Sequence, residues 1–161
     1  MFSKSLFTTL FAYHWYTNAR LLDLSANLSE ADYKNSSDYG HGSIHDLLVH
    51  LLQTDWAWRQ ALETGQQQSP LLAEDFPHLA ALRNGFERER EAWQSLLEGL
   101  EAGEFEAEIS LTTRRGSIRV FPRWRILQHV VLHGMQHHAE LAQMLTAKGQ
   151  PPGNIDFIFF S

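Results

Sequence analysis

Three histidines near the C-terminus, His129, His133 and His137, are spaced four residues apart in the apolar segment HVVLHGMQHH. Residues four apart on an α-helix share a face, with Cβ atoms about 5–6 Å apart. Two imidazoles at this spacing can ligate one divalent metal ion, because a zinc–nitrogen bond is about 2.0–2.1 Å long. His129 and His137 would lie about 12 Å apart along the helix axis, so all three cannot easily converge. The stripe therefore predicts a metal-binding pair, His129 with His133 or His133 with His137, and a further ligand from another helix.

The best candidate for the further ligand is His50. It lies in the middle of the apolar segment DLLVHLLQTDWAWR, where an imidazole without a partner would be costly. His14 is the rival candidate, on the apolar side of the first predicted helix. His45 is close to the start of the second predicted helix, and His41 and His78 lie in or near loops. The alternative interpretation is that these histidines are core or surface residues that form local hydrogen bonds.

The residue types exclude several other kinds of metal chemistry. The chain has no cysteine, so a metal must be held by His, Asp, Glu or water, and any reacting thiol must come from a small molecule. Position 134 is Gly, so the general base of an HExxH zinc peptidase is missing from its place. A di-iron carboxylate bundle needs two Glu-x-x-His motifs and two further glutamates, and the sequence lacks that set.

Composition indicates one globular domain over residues 1–161, with 43% hydrophobic and 20% charged residues. The net charge is −6 and the basic residues are scattered, which disfavours nucleic acid and an anionic membrane as partners. No run of about 18 apolar residues is present, so we expect no membrane span. The start, MFSKSLFTTLFAY, lacks a clear cleavage site and is interpreted as a helix of the mature protein. With no cysteine present, we expect a cytoplasmic protein.

Apolar periodicity predicts an all-α protein, a four-helix bundle with a small β-hairpin in the last connection. The hairpin is expected over 104–121, where Phe105, Ala107, Ile109 and Leu111 alternate with polar residues and Ile118 and Val120 do so again beyond a turn at Arg115-Gly116. Loops are expected over 29–42 and 66–75. The predicted helices cover 3–28, 43–64, 77–100 and 122–148.

Local signals refine these elements. Ser43 is expected to cap the second helix and Gly65 to end it. The Trp56/Trp58 pair is placed on the buried side of that helix, and the block ERERE at 87–91 is interpreted as a solvated face. Pro122 suits the first turn of the last helix. The apolar tail NIDFIFF, 154–160, is expected to pack on the bundle or on a partner chain.

The sequence resembles the DinB/YfiT-like metalloprotein superfamily of four-helix bundles. YHWYTNARLL, Tyr13 to Leu22, looks like the element Tyr-x-x-Trp-x-Asn-x-x-Leu-Leu, with Tyr16 in the place of Trp. LLVHLLQTDWAW is similar to the element that carries a first ligand, and LQHVVLHGMQHHAELAQML to the last-helix element with two more. KGQPPGNIDFIFF is similar to the ending Gly-x-x-Pro-x-x-x-Asp-Phe. The chain departs from the family at His138-Ala139-Glu140, where Arg-Gly-Gln is common.

The resemblance implies a divalent metal held by His50, His133 and His137, with His129 in a supporting or structural role. Zinc or nickel is favoured, and three histidines with a water also suit iron, manganese or cobalt. It further implies a small-molecule substrate, with activation of a low-molecular-weight thiol for S-transfer or isomerisation, and a homodimer. Two alternatives stay open: a metal-dependent hydrolase using metal-bound hydroxide, and a non-catalytic damage- or stress-associated metalloprotein.

Other residues near these motifs have two interpretations each. Trp15, Trp56 and Trp58 could line an apolar pocket or simply pack in the core. Asp55 and Glu140 could support a ligand or act as a base, and they could equally be ordinary surface acids. Tyr13 likewise has a functional and a structural interpretation.

Overall fold

The computed structural model describes residues 3–36 and 41–161. Within them the chain forms four long helices, one short helix and an antiparallel hairpin, which confirms the predicted all-α four-helix bundle with a hairpin before the last helix. Short 3₁₀ turns lie at Ala73–Asp75, Ala102–Glu106 and Phe157–Phe159. The main elements in chain order are α1 (Lys4–Ser25), α2 (Glu30–Lys34), α3 (Ile44–Thr64), α4 (Leu79–Gly99), β1 (Glu108–Thr112), β2 (Ile118–Pro122) and α5 (Arg123–Ala147).

The ends of α3 follow the local signals in the sequence. The Ser43 hydroxyl accepts a hydrogen bond from the Asp46 N–H, and the Asp46 carboxylate accepts one from the Ser43 N–H, which makes a capping box. Gly65 ends the helix in the left-handed region at φ 68°. Both predictions are confirmed.

Other predicted boundaries are wrong. The first helix stops at Ser25 rather than near residue 28, and the expected loop over 29–42 contains α2, which is capped by Ser29. Pro122 is not in the first turn of α5. It ends β2 with ψ 138°, an extended conformation, and the helix begins at Arg123. The hairpin is also shorter than predicted, because residues 102–106 wind into a 3₁₀ turn that buries Phe105.

The hairpin presents the opposite face of β2 from the one that its apolar pattern suggests. Leu111 pairs with Arg119 and Ile109 pairs with Phe121, and paired residues in an antiparallel ladder point to the same side of the sheet. Leu111 is 5% exposed, so this side faces the bundle, whereas Ile118 and Val120 lie on the other side and are 68% and 51% exposed. Arg119 therefore lies on the bundle-facing side of the hairpin, where it remains exposed, and its apolar neighbours lie on the other side.

The four long helices pack as a closed ring in which α1 and α3 each contact both α4 and α5. The helices α1 and α3 are thus diagonal partners across the core. No helix within the described ranges is long and apolar enough to cross a membrane. The largest fully buried side chains come from α1, α3, α4 and the 3₁₀ turn before β1, and they include Phe7, Phe11, Tyr13, Leu48, Leu51, Trp93 and Phe105.

The buried face of α3 differs from the prediction. Asp55 is 1% exposed and Arg59 is 9% exposed, whereas Trp56 and Trp58 are only half-buried. The Arg59 guanidinium donates to both carboxylate oxygens of Glu89 on α4, at 2.6 and 2.8 Å. Glu89 belongs to the block that was expected to be solvated, and it is 4% exposed. The bidentate ion pair satisfies both buried charges, which is the condition for burying them.

The C-terminal tail packs on α1 through part of its length. The Tyr13 hydroxyl donates to the Ile155 carbonyl, and the rings of Phe157 and Phe160 lie 5.2 and 5.7 Å from the Tyr13 ring. Ile158 and Phe159 remain 81% and 70% exposed. The prediction that the tail packs on the bundle holds for Ile155, Phe157 and Phe160. The contribution of the tail to a homodimer stays a prediction.

A buried polar network joins α1, α3 and α5 in the core. His14 donates from Nε2 to Asp55 Oδ2 across the bundle diagonal at 2.9 Å, and both side chains are 1% exposed. The Asn18 amide lies between two rings, with its Nδ2 3.1 Å from His14 Nε2 and its Oδ1 accepting from His138 Nε2 at 2.7 Å. The network therefore fixes the relative positions of three helices at one level of the bundle.

Gly134 allows the closest approach in this network. A Cβ at this position would lie 2.3 Å from His14 Cε1 and 2.4 Å from His14 Nδ1, distances that real Cβ atoms do not adopt. The His14 ring therefore lies directly on the α5 backbone. This contact also explains why position 134 carries no side chain.

Gly134→Ala should destabilise the protein, because the added methyl group must displace a ring that is already hydrogen-bonded. Overpacking of this kind costs about 1–3 kcal/mol. Gly99→Ala is the matched control, since nothing lies within 4 Å of a Cβ there, and it should leave stability unchanged or raise it by up to about 1 kcal/mol. Urea unfolding followed by circular dichroism measures both. Equal midpoints for the two variants would contradict the proposed role of the contact.

Candidate metal centre

The structure brings His50, His133 and His137 together between α3 and α5. The ring centroid of His50 lies 4.8 Å from that of His137 and 5.3 Å from that of His133. His133 and His137 face each other, with 3.1 Å between their Nε2 atoms. Two nitrogens bound to one tetrahedral zinc ion lie about 3.3 Å apart, given bonds of about 2.0–2.1 Å. The pair thus has the spacing that two ligands of one ion require.

A fourth imidazole, that of His41, joins this cluster. Its ring stacks on His50 at 3.9 Å and lies 5.1 Å from the His137 ring. His41, His50 and His137 each offer a ring nitrogen within 4.8 Å of the others, and the predicted ligand His133 is not part of this group. The sequence analysis missed His41 because it precedes α3, and helical periodicity does not determine the path of a loop.

The remaining histidines have other partners. His14, the rival third ligand, is hydrogen-bonded to Asp55. His45 donates from Nε2 to the Phe76 carbonyl at 2.7 Å, and His78 Nδ1 caps α4 by accepting from the Ala81 N–H. His129 is exposed and lies at the edge of the cluster, with its ring centroid 5.8 Å from that of His133 and 5.1 Å from that of Trp58.

Glu140 orients one member of the cluster. His137 donates from Nδ1 to Glu140 Oε2 at 2.7 Å, which leaves a lone pair on the Nε2 that faces His133. Carboxylates that bond the far nitrogen of a ligating histidine fix its tautomer and raise its basicity. Asp55, the other acid considered, instead bonds His14 in the core.

Burial favours the neutral form of two cluster members. Burial and the neighbouring imidazoles of His41 and His137 lower the pKa of His50 to about 4. The pKa of His133 is also lowered to about 4, again mainly by burial. His133 Nδ1 is buried without a hydrogen-bond partner in residues 3–36 and 41–161. Neutral imidazole is the form that ligates metals, so the donor set fits a divalent cation.

A cavity of about 480 Å³ opens beside His50, between α3 and the hairpin. Trp58 and Phe121 form apolar parts of its wall, and both also line a neighbouring cavity of about 240 Å³ that reaches His129. A larger groove of about 590 Å³ lies between α1 and α4 and is lined by Trp15, but no described histidine lines it. The cavity of about 480 Å³ beside His50 is therefore the one that a reactant at the histidine cluster would use.

The chain is thus a helical-bundle protein with a candidate metal site between α3 and α5. The sequence model of the DinB family matches residues 1–161, so the chain belongs to the DinB family, as the sequence resemblance indicates. A comparison with curated proteins gives no significant match.

Two solved structures share the fold. YfiT from Bacillus subtilis, described as a probable metal-dependent hydrolase with an unusual four-helix bundle topology, aligns with a TM-score of 0.67 and 15% identity over 92% of this chain and 91% of its own. The DinB-like protein YjoA from Bacillus subtilis aligns with a TM-score of 0.63 and 15% identity over 87% of this chain and 91% of its own.

The stability of the metal-free protein should fall with pH in a defined window. An unfolded histidine binds a proton near pH 6.5, whereas folded His50 and His133 do so only at about 4. Between these values the unfolded chain holds more protons, so stability is lost as pH falls from about 6.5 to about 4 and is fully present above this range. Urea midpoints of chelator-treated protein should show this slope. The double variant His50→Gln/His133→Gln should have a shallower one, and identical slopes would contradict the assignment.

Proposed function

We propose that this chain is a metal-dependent enzyme that holds one divalent cation through His50, His133 and His137 and activates a small-molecule thiol. The observation that supports the proposal is the 3.1 Å approach of the His133 and His137 Nε2 atoms beside the ring of His50, in a site where burial favours the neutral form of His50 and His133. A cation held by neutral ligands keeps its full charge, and it lowers the pKa of a thiol or water that binds it. Zinc or nickel is the favoured ion.

The role of His41 determines whether the metal ion keeps a coordination position for a reactant. Three protein ligands leave a position for a reactant, whereas four close the site, as in structural zinc centres. His41 reaches the cluster from the solvent side and is the exposed member of its group, whereas His137 is buried. We therefore assign His41 to the replaceable position, which a reactant takes over when it enters. A permanent fourth ligand would instead support a non-catalytic role.

Metal content should distinguish these roles. His50→Ala, His133→Ala and His137→Ala should each lose stoichiometric metal in elemental analysis of the purified protein. His129→Ala is the matched control on the same stripe, and it should retain metal because its ring lies at the cluster edge. His41→Ala should also retain it. Loss of metal in His41→Ala would favour a closed structural site, and full retention in the first three variants would contradict the ligand set.

Thiol activation is the favoured chemistry because the described part of the site lacks a free carboxylate base. Glu140 is hydrogen-bonded to His137, and no acid can stand at position 134 because His14 occupies that space. Among the described residues that line the cavity, none is Asp or Glu. The chain has no cysteine, so the sulfur must enter with a small molecule. A thiol needs no separate base, since coordination to a cation deprotonates it.

Hydrolysis is the second candidate, favoured by one observation. The chain shares its fold over 92% of its length with YfiT, which is described as a probable metal-dependent hydrolase. In this case the cation would activate water at the same position that a thiol would otherwise occupy. The same ligands and the same cavity serve either reaction.

Titration of the cobalt-substituted protein should separate the two candidates. A thiol that binds the cation produces a sulfur-to-cobalt charge-transfer band, which we expect with 2-mercaptoethanol or 3-mercaptopropionate. The band should be absent in His137→Ala and retained in His129→Ala. An unchanged spectrum with all thiols, combined with hydrolysis of p-nitrophenyl acetate that His137→Ala abolishes, would replace the thiol proposal with the hydrolase.

A further inference from the structure

Two arginines of the hairpin line the cavity that opens beside His50. Arg114 follows β1 and Arg119 lies in β2, and both contribute to the cavity wall together with His50, Trp58 and Phe121. The volume of about 480 Å³ lies in the range of small-molecule sites, which is about 300–1,000 Å³. One wall of this cavity thus contains the candidate metal ligand His50, and another contains the cationic side chains of Arg114 and Arg119.

Arg119 is exposed but lies on the side of the hairpin that faces the bundle and the cavity. It shares the bundle-facing side with Leu111 and Phe121, while Ile118 and Val120 on the other side are exposed. The three apolar residues Ile109, Leu111 and Phe121 determine which side faces the bundle, and Arg119 shares that side because it pairs with Leu111. The register that buries Leu111 thus places Arg119 in the wall of the cavity.

The hairpin is fixed to the end of α3, so these arginines are held over the cavity. The Thr112 N–H donates to the Gly65 carbonyl and the Gln67 N–H donates to the Thr112 carbonyl, both at 2.9 Å. The Arg114 N–H in turn donates to the side-chain oxygen of Gln67 at 3.2 Å. These bonds position the backbone of both arginines relative to His50.

The charge around the cavity is opposite to that of the whole chain. The net charge is −6, with 19 acidic residues against 13 basic ones, yet no acidic residue lines this cavity within the described ranges. Arg83 pairs with Asp23, Arg90 with Glu87 and Arg123 with Glu104. In the part of the chain that the structure describes, no such ion pair forms at Arg114 or Arg119. Their guanidiniums are available to a ligand.

We propose that the reactant of the histidine site carries an anionic group, a carboxylate or a phosphate, which Arg114 and Arg119 bind. This inference rests on the proposed function. The planar guanidinium matches the geometry of both oxyanions through paired N–H donors. The apolar part of the molecule lies against Trp58 and Phe121, and its reacting end reaches the side of the cavity that His50 forms.

Thiol probes that differ only in charge test the proposal. Cobalt-substituted protein is titrated with 4-mercaptobenzoate and with its neutral isostere 4-mercaptobenzamide, and the charge-transfer band reports binding. Wild type should bind the benzoate at least about tenfold more tightly, since charge-assisted hydrogen bonds are the stronger ones. Arg119→Gln and Arg114→Gln should each reduce this preference severalfold, and Arg119→Lys should restore part of it. Equal affinity for the two probes in wild type would overturn the proposal.

Arg115→Gln is the matched control, because Arg115 is an exposed neighbour on the same turn that is not part of the cavity wall. It should leave both affinities unchanged. A loss of preference in Arg115→Gln equal to that in Arg119→Gln would indicate a general surface potential and would overturn the assignment to these two residues. Melting temperatures of the variants should match that of wild type, since neither arginine forms an internal ion pair.

Chelator-treated protein separates this inference from the proposed function. Phenyl phosphate and benzoate should still bind in the cavity lined by Arg114 and Arg119. Shifts of the Trp58 indole signal in heteronuclear NMR report this binding. Arg119→Gln should weaken the binding of both anions. Anion binding without any thiol band would refute thiol activation while supporting the anion site. A thiol band with equal affinity for the charged and the neutral thiol would support thiol activation and refute the anion site. Comparison of the two anions identifies which one the site prefers.

Discussion

The contact of the His14 ring with the α5 backbone at Gly134 is the constraint on which the rest of the site depends. It brings α1 directly onto α5, and the hydrogen bond from His14 to Asp55 extends the same contact across the diagonal to α3. Gly134 lies between His133 and His137 in the chain. Position 134 faces α1, and the helical twist directs His133 and His137 to an adjacent side of α5, where α3 presents His50.

The bundle thus contains two groups of histidines with different surroundings. His14 and His138 lie in the core and are hydrogen-bonded to Asp55 and Asn18, so their role in the structure is to join helices. In the cluster around His50, the described contacts are the Glu140 bond to His137 and the close approach of His137 to His133. The cluster rings lie close to one another with their nitrogens facing, an arrangement that a cation would stabilise, whereas the core rings face an acid and an amide.

The distribution of charge adds a second level of organisation. Buried and half-buried acids of the bundle are paired with basic residues, as in the Arg59–Glu89 pair. The hairpin reverses this pattern, since it presents arginines without acidic partners to the cavity beside His50. An acidic protein can in this way attract an anion to a particular site, because the field near a site is dominated by the charges that line it.

The sequence by itself determined the features that depend on neighbouring residues. Periodicity located the four long helices, the Ser43 and Gly65 signals located the ends of α3, and the four-residue spacing placed His133 beside His137. His50 was selected as the third imidazole by its apolar surroundings and by family resemblance, and its role as a ligand stays a prediction. Tertiary structure alone decided that His41 joins the cluster, that Asp55 and Glu89 are buried, and that Arg119 rather than Val120 lies on the bundle-facing side of the hairpin. The physical reason is range: caps and helical faces are set within a few residues, whereas loop paths, ion pairs between helices and the face of a two-stranded hairpin are set by what packs against them.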